Sequence, residues 1–174
     1  MFEILKADLE NFVKYSKVKS KIFTLVTVQG AWAVGVYRFG NFAYKKSRKN
    51  KLWYFNIIIW YILNKIIEIL TGISIDFRAQ IEKGFMISHF GNIIISGRAK
   101  IGKNFAVGQG VTIGRKNGLA PTIGDNVYVG VNAVLIGDIS IGDNSKIGAL
   151  ALVNKSFPEN SIIVGNPAIN KNKN

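Results

Sequence analysis

The sequence predicts a mainly β protein, a parallel β-helix of hexapeptide repeats preceded by an α-helical N-terminal region. Three observations carry that expectation. From Ile75 onward an aliphatic residue returns every six positions: Ile75, Ile81 and Ile87, then Ile95, Ile101, Val107 and Ile113, then Ile123, Val129, Leu135, Ile141, Ile147 and Val153. Glycine directly follows it at Gly102, Gly108, Gly114, Gly124, Gly130, Gly142 and Gly148, and a small or branched residue often stands four places on (Ala79, Ala99, Val111, Val127, Ala133, Ser145, Ala151). Ahead of Gly72 the apolar spacing is helical instead. No amphipathic helix repeats every six residues, and the run is far too long for one strand.

In chain order, residues 1–71 read as helices. Ile4, Leu5, Leu9, Phe12 and Val13 share one face, with Lys6, Glu10 and Lys14 between them. A second apolar stretch, from about Ile22 to Tyr44, is punctuated by Gly30, Gly35 and Gly40, which predicts loops or close helix packing. The basic run Lys45, Lys46, Arg48, Lys49 and Lys51 reads as a turn or a solvated segment. Trp53 to Leu70 approaches spanning length, but Asn56, Asn64, Lys65 and Glu68 interrupt it, and a spanning helix needs about 20 nearly unbroken apolar residues. A helix buried against the protein fits better, as does an interfacial helix whose basic flank meets anionic head groups.

Residues 72–168 form the repeat domain. Each unit supplies a short strand and a corner, and three units close a triangular coil. The aliphatic residue points inward and stacks on its counterpart one coil away, about 4.8 Å along the axis. Glycine is expected at the corners because it takes positive φ without a Cβ clash. Thirteen units make a little over four coils, and the polar residues 169–174 read as a tail. The beat fails twice: eight residues separate Ile87 from Ile95, and ten separate Ile113 from Ile123. Extra residues must leave the prism as a bulge or loop, where function tends to sit. His89, the single histidine of the chain, stands in the first break with Ser88 and Asn92, and the second break carries Arg115 and Lys116.

Composition narrows the chemistry. The chain has 174 residues, of which 48% are apolar, enough for one domain with a substantial core. A net charge of +13 favours anionic partners without choosing among nucleic acid, lipid, acidic polymer and phosphorylated cofactor. No nucleic-acid-binding module is recognisable, so nucleic acid is not an expected partner. The absence of cysteine excludes disulfides, thiolate metal sites and a cysteine nucleophile. Gly108, Gly110 and Gly114 fall on the corner rhythm and open no helix, which rejects a dinucleotide fingerprint. Met1 to Lys21 is charged and lacks a continuous apolar core, so a secretory signal is not expected and the expected location is cytoplasmic.

The segments "ISHFGNIII", "GQGVTIG", "PTIGDNVYVGVNAVLIGDISIGDNSKIGA" and "VGNPA" resemble the serine acetyltransferase branch of the left-handed β-helix acyltransferases, over about Gly72 to Ala168. Within that branch the chain is similar to acetyltransferases of exopolysaccharide and capsule gene clusters, the colanic acid type included. "VYRFGNFAY" resembles the family's helical region more loosely. The resemblance implies a left-handed parallel β-helix, a homotrimer with active sites between subunits, acetyl-CoA as donor, and no metal. A single histidine also excludes the three-histidine metal centre of γ-type carbonic anhydrases, which share the coil. His89 is implied to be the general base, removing the acceptor's proton as its oxygen attacks the thioester. By position, Gly130, Ala149 and Leu150 would line the pantetheine, with Lys146 and Lys155 near the phosphates or simply at solvated corners. A backbone N–H near Gly114 is a candidate oxyanion donor.

Departures from the family pattern shape the expected acceptor. Serine acetyltransferases carry an orienting carboxylate 15 residues before the histidine, where this chain has Ser74, leaving Asp76, Glu82 or a backbone carbonyl to orient His89. Ser88 replaces the aspartate before the histidine, and Leu119–Ala120 replace an Arg-His pair. With those amino-acid-reading groups missing, the expected acceptor is a sugar hydroxyl in capsular or exopolysaccharide biosynthesis. Ser88, Asn92, Arg115 and Lys116 are the candidate acceptor contacts, the last two being equally well placed as surface loop. The alternatives are a serine O-acetyltransferase of cysteine biosynthesis and a binding scaffold with impaired catalysis. Trp53, Tyr54 and Trp60 beside the basic run add the expectation of peripheral contact with the inner face of the membrane.

Overall fold

Four helices precede the coils in the computed structural model, which describes residues 1–15 and 20–172. They are α1 (Phe2–Tyr15), α2 (Lys21–Thr27), α3 (Gln29–Ser47) and α4 (Tyr54–Thr71), the last preceded by a short 3-10 turn at Lys51–Trp53. Ser20 caps α2 by accepting from the Phe23 amide at 3.4 Å. α4 stops at Gly72, which takes the left-handed conformation at φ 69° and donates its N–H to the Glu68 carbonyl at 2.9 Å. The three glycines expected to interrupt α3 leave it continuous. Gly30 is needed for close approach, because a Cβ there would lie 2.8 Å from the Ile87 carbonyl oxygen.

From Ile73 the chain winds around three parallel faces. The first holds Ile73–Ile75, Ile93–Ile95, Thr112–Gly114, Val134–Ile136 and Leu152–Val153; the second holds Gln80–Ile81, Lys100–Ile101, Thr122–Ile123 and Ser140–Ile141. The third holds Met86–Ile87, Ala106–Val107, Tyr128–Val129, Lys146–Ile147 and Ile162–Val164, closed by the antiparallel strand Ile169–Asn170. Register follows the aliphatic beat across both breaks: Ile75 pairs with Ile95, Ile95 with Ile113, Ile113 with Leu135, and Leu135 with Val153. Every one of these residues is buried, as are the small residues four places on, including Ser145. Phe157 bridges to Ile141 and Ile163 pairs with Ile147, so the winding continues past Val153 into a fifth coil. The residues expected as a polar tail therefore begin as a strand, with Lys173 and Asn174 outside the described residues.

Glycine's role at the corners differs from the sequence expectation. The glycines that follow the inward aliphatics are not the ones at positive φ; at the corners that conformation is held by Gly84 and Gly110 and, in the coils stacked on them and beyond, by Asn104, Asn126, Asn132, Asn144 and Asn160. Asparagine tolerates it better than other side chains. Its amide also builds a ladder, Asn104 donating to Asn126 at 2.9 Å and Asn126 to Asn144 at 3.1 Å. Gly130 shows what the post-aliphatic glycines do instead. A Cβ there would lie 2.7 Å from the Ala149 amide nitrogen, so its missing side chain lets successive coils stack.

A stacked coil leaves open backbone groups at its end, and α3 covers the N-terminal one. Tyr37 donates its hydroxyl to the Ala79 carbonyl at 2.9 Å and accepts from the Ile81 amide at 3.2 Å. Asn41 donates to the Phe77 and Ala79 carbonyls, and Arg38 donates to those of Ile81 and Glu82. Arg38 is itself paired with Asp8 of α1 at 2.8 Å, both side chains being almost fully buried. α4 buries Ile57, Trp60 and Ile67 on one face, while Phe55, Ile58, Ile62, Ile66 and Ile69 stay exposed on the other. By length and composition alone Lys51–Thr71 could cross a membrane.

Candidate active site

The two breaks in the beat fall on different edges of the prism. Residues 88–92 turn from the third face to the first, carrying Ser88, His89 and Asn92. His89 is exposed, and its ring has no hydrogen-bond partner among the described residues. The turn is fixed from two sides. Gly110 of the next coil donates to the Gly91 carbonyl at 2.8 Å, and Gly72 at the end of α4 packs against the Asn92 amide. Gly130, Ala149 and Leu150 lie on the same edge, further along the axis. Leu150 is 69% exposed and sits at φ 61°, a conformation a leucine adopts at a cost of about 1–2 kcal/mol. Gln109, one coil on from His89, has a buried side-chain oxygen with no partner among the described residues.

The second break, residues 115–121, turns from the first face to the second. Lys116 and Leu119 exchange backbone hydrogen bonds at 2.9 and 3.1 Å around Asn117 and Gly118, both at positive φ. That is the two-residue Asn-Gly hairpin turn, a signal present in the sequence but overlooked there. Beside it opens a groove of about 940 Å³ lined by Tyr44, Arg48, Arg78, Arg98, Lys100 and Arg115, with Asp76 and Asp138 as its carboxylates. Leu119, Ala120 and Gly114 also reach this groove, whereas His89 does not. Lys155 lies on this second edge, and Lys146 is exposed on the third face. One chain thus separates the expected site residues into two groups.

Asp76 does not orient His89 within the chain. It follows Ile75 at one end of the first face, while His89 precedes Ile93 at the other, and the three-residue strands between put the two ends roughly 10 Å apart. Its carboxylate is taken by Arg78, at 2.9 Å to Nε and 2.5 Å to Nη2. Burial pushes the Asp76 carboxyl up, but Arg78's hydrogen bonds and charge, joined by Arg115's charge, hold it below the usual carboxylate range. Glu82 is exposed on the edge between the second and third faces. The carboxylate that sequence reading missed is Glu68. From α4 it accepts the Ser74 hydroxyl at 2.6 Å, Asn64 at 2.8 Å and Lys65 at 2.5 Å. A carboxylate therefore stands beside the position where the sequence shows only serine. No sequence pattern flagged it, because the hydrogen bond joins a helix to a strand across the Gly72 turn.

Comparison with known proteins places this geometry. The model for bacterial transferase hexapeptide (six repeats) matches residues 120–155. Serine acetyltransferase of Bacillus pumilus is 32% identical over 171 residues, covering 95% of this chain and 75% of that protein. A putative colanic acid biosynthesis acetyltransferase of Escherichia coli is 34% identical over 127 residues, covering 71% of this chain and 77% of the relative. The crystal structure of Neisseria gonorrhoeae serine acetyltransferase in complex with serine superposes with a TM-score of 0.85 at 29% identity, covering 97% of this chain and 68% of that one. These findings overturn the expected sugar acceptor and polysaccharide role: relatives matched over nearly the whole chain are serine acetyltransferases. The elimination looked for charged groups only at fixed sequence positions, whereas the fold brings the Glu68 carboxylate beside Ser74 and several arginines to the groove from other elements. The chain belongs to the hexapeptide-repeat acyltransferases with a left-handed β-helix, on their serine acetyltransferase branch.

Proposed function

We propose that the chain is an acetyl-CoA-dependent serine O-acetyltransferase that works as a homotrimer, with His89 as general base. The observation that carries the reading is the placement of the lone histidine. It is exposed in a fixed turn on the edge that also holds the orphan Gln109 oxygen, Gly130, Ala149 and the exposed, left-handed Leu150. The fit to the donor is chemical: the exposed Leu150 offers an apolar surface to a pantetheine arm on this edge. Acetyl-CoA would supply an acyl group activated as a thioester. His89 would take the proton of the serine hydroxyl as its oxygen attacks that carbonyl, and would return the proton to the departing sulfur. A second copy is needed because the His89 edge and the groove edge lie at opposite ends of the first face.

The test is thioester turnover with serine, comparing wild type with His89→Ala. General-base catalysis of this kind contributes about 10²–10⁴-fold, so kcat should fall by that factor while the oligomeric mass stays the same. Turnover undiminished in the variant removes His89 from the mechanism. A wild-type enzyme that acetylates no serine removes serine as the acceptor.

A further inference from the structure

The groove on the second edge carries a charge imbalance that the fold does not use. Five cationic side chains, Arg48, Arg78, Arg98, Lys100 and Arg115, line it against the carboxylates of Asp76 and Asp138. Asp76 is spent on Arg78 through a two-point ion pair, and Arg78 is further steadied over the Phe77 ring at 5.7 Å. Arg98 uses one nitrogen, Nη1, to hold the Gly118 carbonyl at 2.7 Å. That acceptor is neutral, so the guanidinium keeps its full charge and its other donors. Arg115 makes no hydrogen bond among the described residues; its charge is felt at Asp76 without contact. Like charges gathered in a concave wall repel one another, and the arrangement is relieved by an anion between them. A guanidinium held in direction, as that of Arg98 is by the Gly118 carbonyl, suits a planar or tetrahedral oxyanion with two or three oxygens.

We infer that this groove is an oxyanion-binding subsite in which Arg98 and Arg115 hold the acceptor's negatively charged group. The hairpin turn at Asn117–Gly118 places both residues on one wall: Arg115 starts the loop and Arg98, from the coil before, is tied to its tip. Carboxylate and phosphate share this chemistry. The choice of serine's carboxylate rests on the serine O-acetyltransferase reading above, whereas oxyanion binding itself does not.

Arg115→Gln is the cleanest probe, since Arg115 makes no hydrogen bond among the described residues and acts on Asp76 through its charge alone. Losing one charge-assisted contact should raise KM for serine about 10- to 100-fold and leave KM for acetyl-CoA and the melting temperature unchanged. Serinamide, which lacks the carboxylate, should be acetylated with the same KM by variant and wild type, and Arg115→Lys should restore part of the serine affinity. An unchanged KM for serine overturns the inference while leaving the enzymatic reading intact. A rise confined to KM for acetyl-CoA also overturns it, because the oxyanion would then be a cofactor phosphate. If wild type acetylates no serine, the reading fails first, and the groove is tested by calorimetric titration with inorganic pyrophosphate at low salt. Binding weakened at least about 10-fold by Arg115→Gln then supports the subsite, and equal or absent binding overturns it.

Discussion

Replacing Asp8 by alanine tests how the helical region holds the first coil. Asp8 is 2% exposed and its partner Arg38 is 4% exposed. One carboxylate oxygen of Asp8 accepts the Gly84 and Phe85 amides at 2.7 and 2.8 Å, and the other pairs with Arg38 Nε at 2.8 Å. Asp8→Ala strands the guanidinium in the interior and leaves two buried N–H groups without acceptors. Breaking a buried pair from one side costs about 3–5 kcal/mol, and the orphaned amides push the total to the upper end of that range. Against a domain stability of about 5–15 kcal/mol, this is a large share. Asp8→Asn keeps an acceptor for the amides while losing the charge, so it should cost less. Urea unfolding followed by circular dichroism at a fixed protomer concentration measures both. A double-mutant cycle with Arg38→Met should show coupling of about 1–3 kcal/mol. The effect should reach the active site too, since Gly84 and Phe85 lead directly into the Met86–Ile87 strand that delivers His89. An Asp8→Ala variant within about 1 kcal/mol of wild type, or a cycle with no coupling, would refute the reasoning.

Two further substitutions probe the coil and the helix-borne carboxylate. Asn126 sits at φ 58° in the middle of the asparagine ladder, so Asn126→Ala should cost about 1–2 kcal/mol, and its urea midpoint should fall below that of Asn126→Gly. For Glu68, burial raises the carboxyl pKa, but hydrogen bonds from Lys65, Ser74 and Asn64 and the Lys65 charge outweigh it and leave the value lowered. A carboxyl with a lowered folded pKa contributes stability above its unfolded pKa of about 4.3 and loses it as pH falls through the folded value. Glu68→Gln should therefore be less stable than wild type at pH 7, with the gap closing as pH drops below about 4; a gap constant with pH would sink that assignment.

The repeat was legible because its physics is local and periodic. An inward aliphatic residue every sixth position has one inexpensive solution, a stack in which Ile95 meets Ile75 below and Ile113 above, and that register is what the structure holds. Glycine was misread because a missing Cβ serves two ends, positive φ and close approach, and sequence alone does not separate them. Asparagine's presence at the corners was the available clue, since Asn104, Asn126 and Asn144 recur in step with the coils. Gly30 and Gly40 were ambiguous in the same way, and α3 runs through both unbroken.

The site was legible only where one residue signals its own role. A single histidine in a break of an otherwise regular beat stands out without any partner being known. Asp76 looked available as an orienting group only because Arg78, two residues on, was not weighed as its competitor, and the two-point ion pair takes the carboxylate. Glu68 was invisible for the complementary reason. It lies in a helix whose apolar content dominated every reading, and only the fold shows that Ser74 turns towards it. The acceptor argument had the same weakness, and the relatives matched over nearly the whole chain overturn it. Recognition is a property of where charge ends up in space, and Arg48, Arg78, Arg98 and Arg115 come from four separate segments that no spacing rule connects. A missing motif at aligned positions is thus weak ground for excluding a substrate whenever the surrounding coils can supply the same charge from another direction.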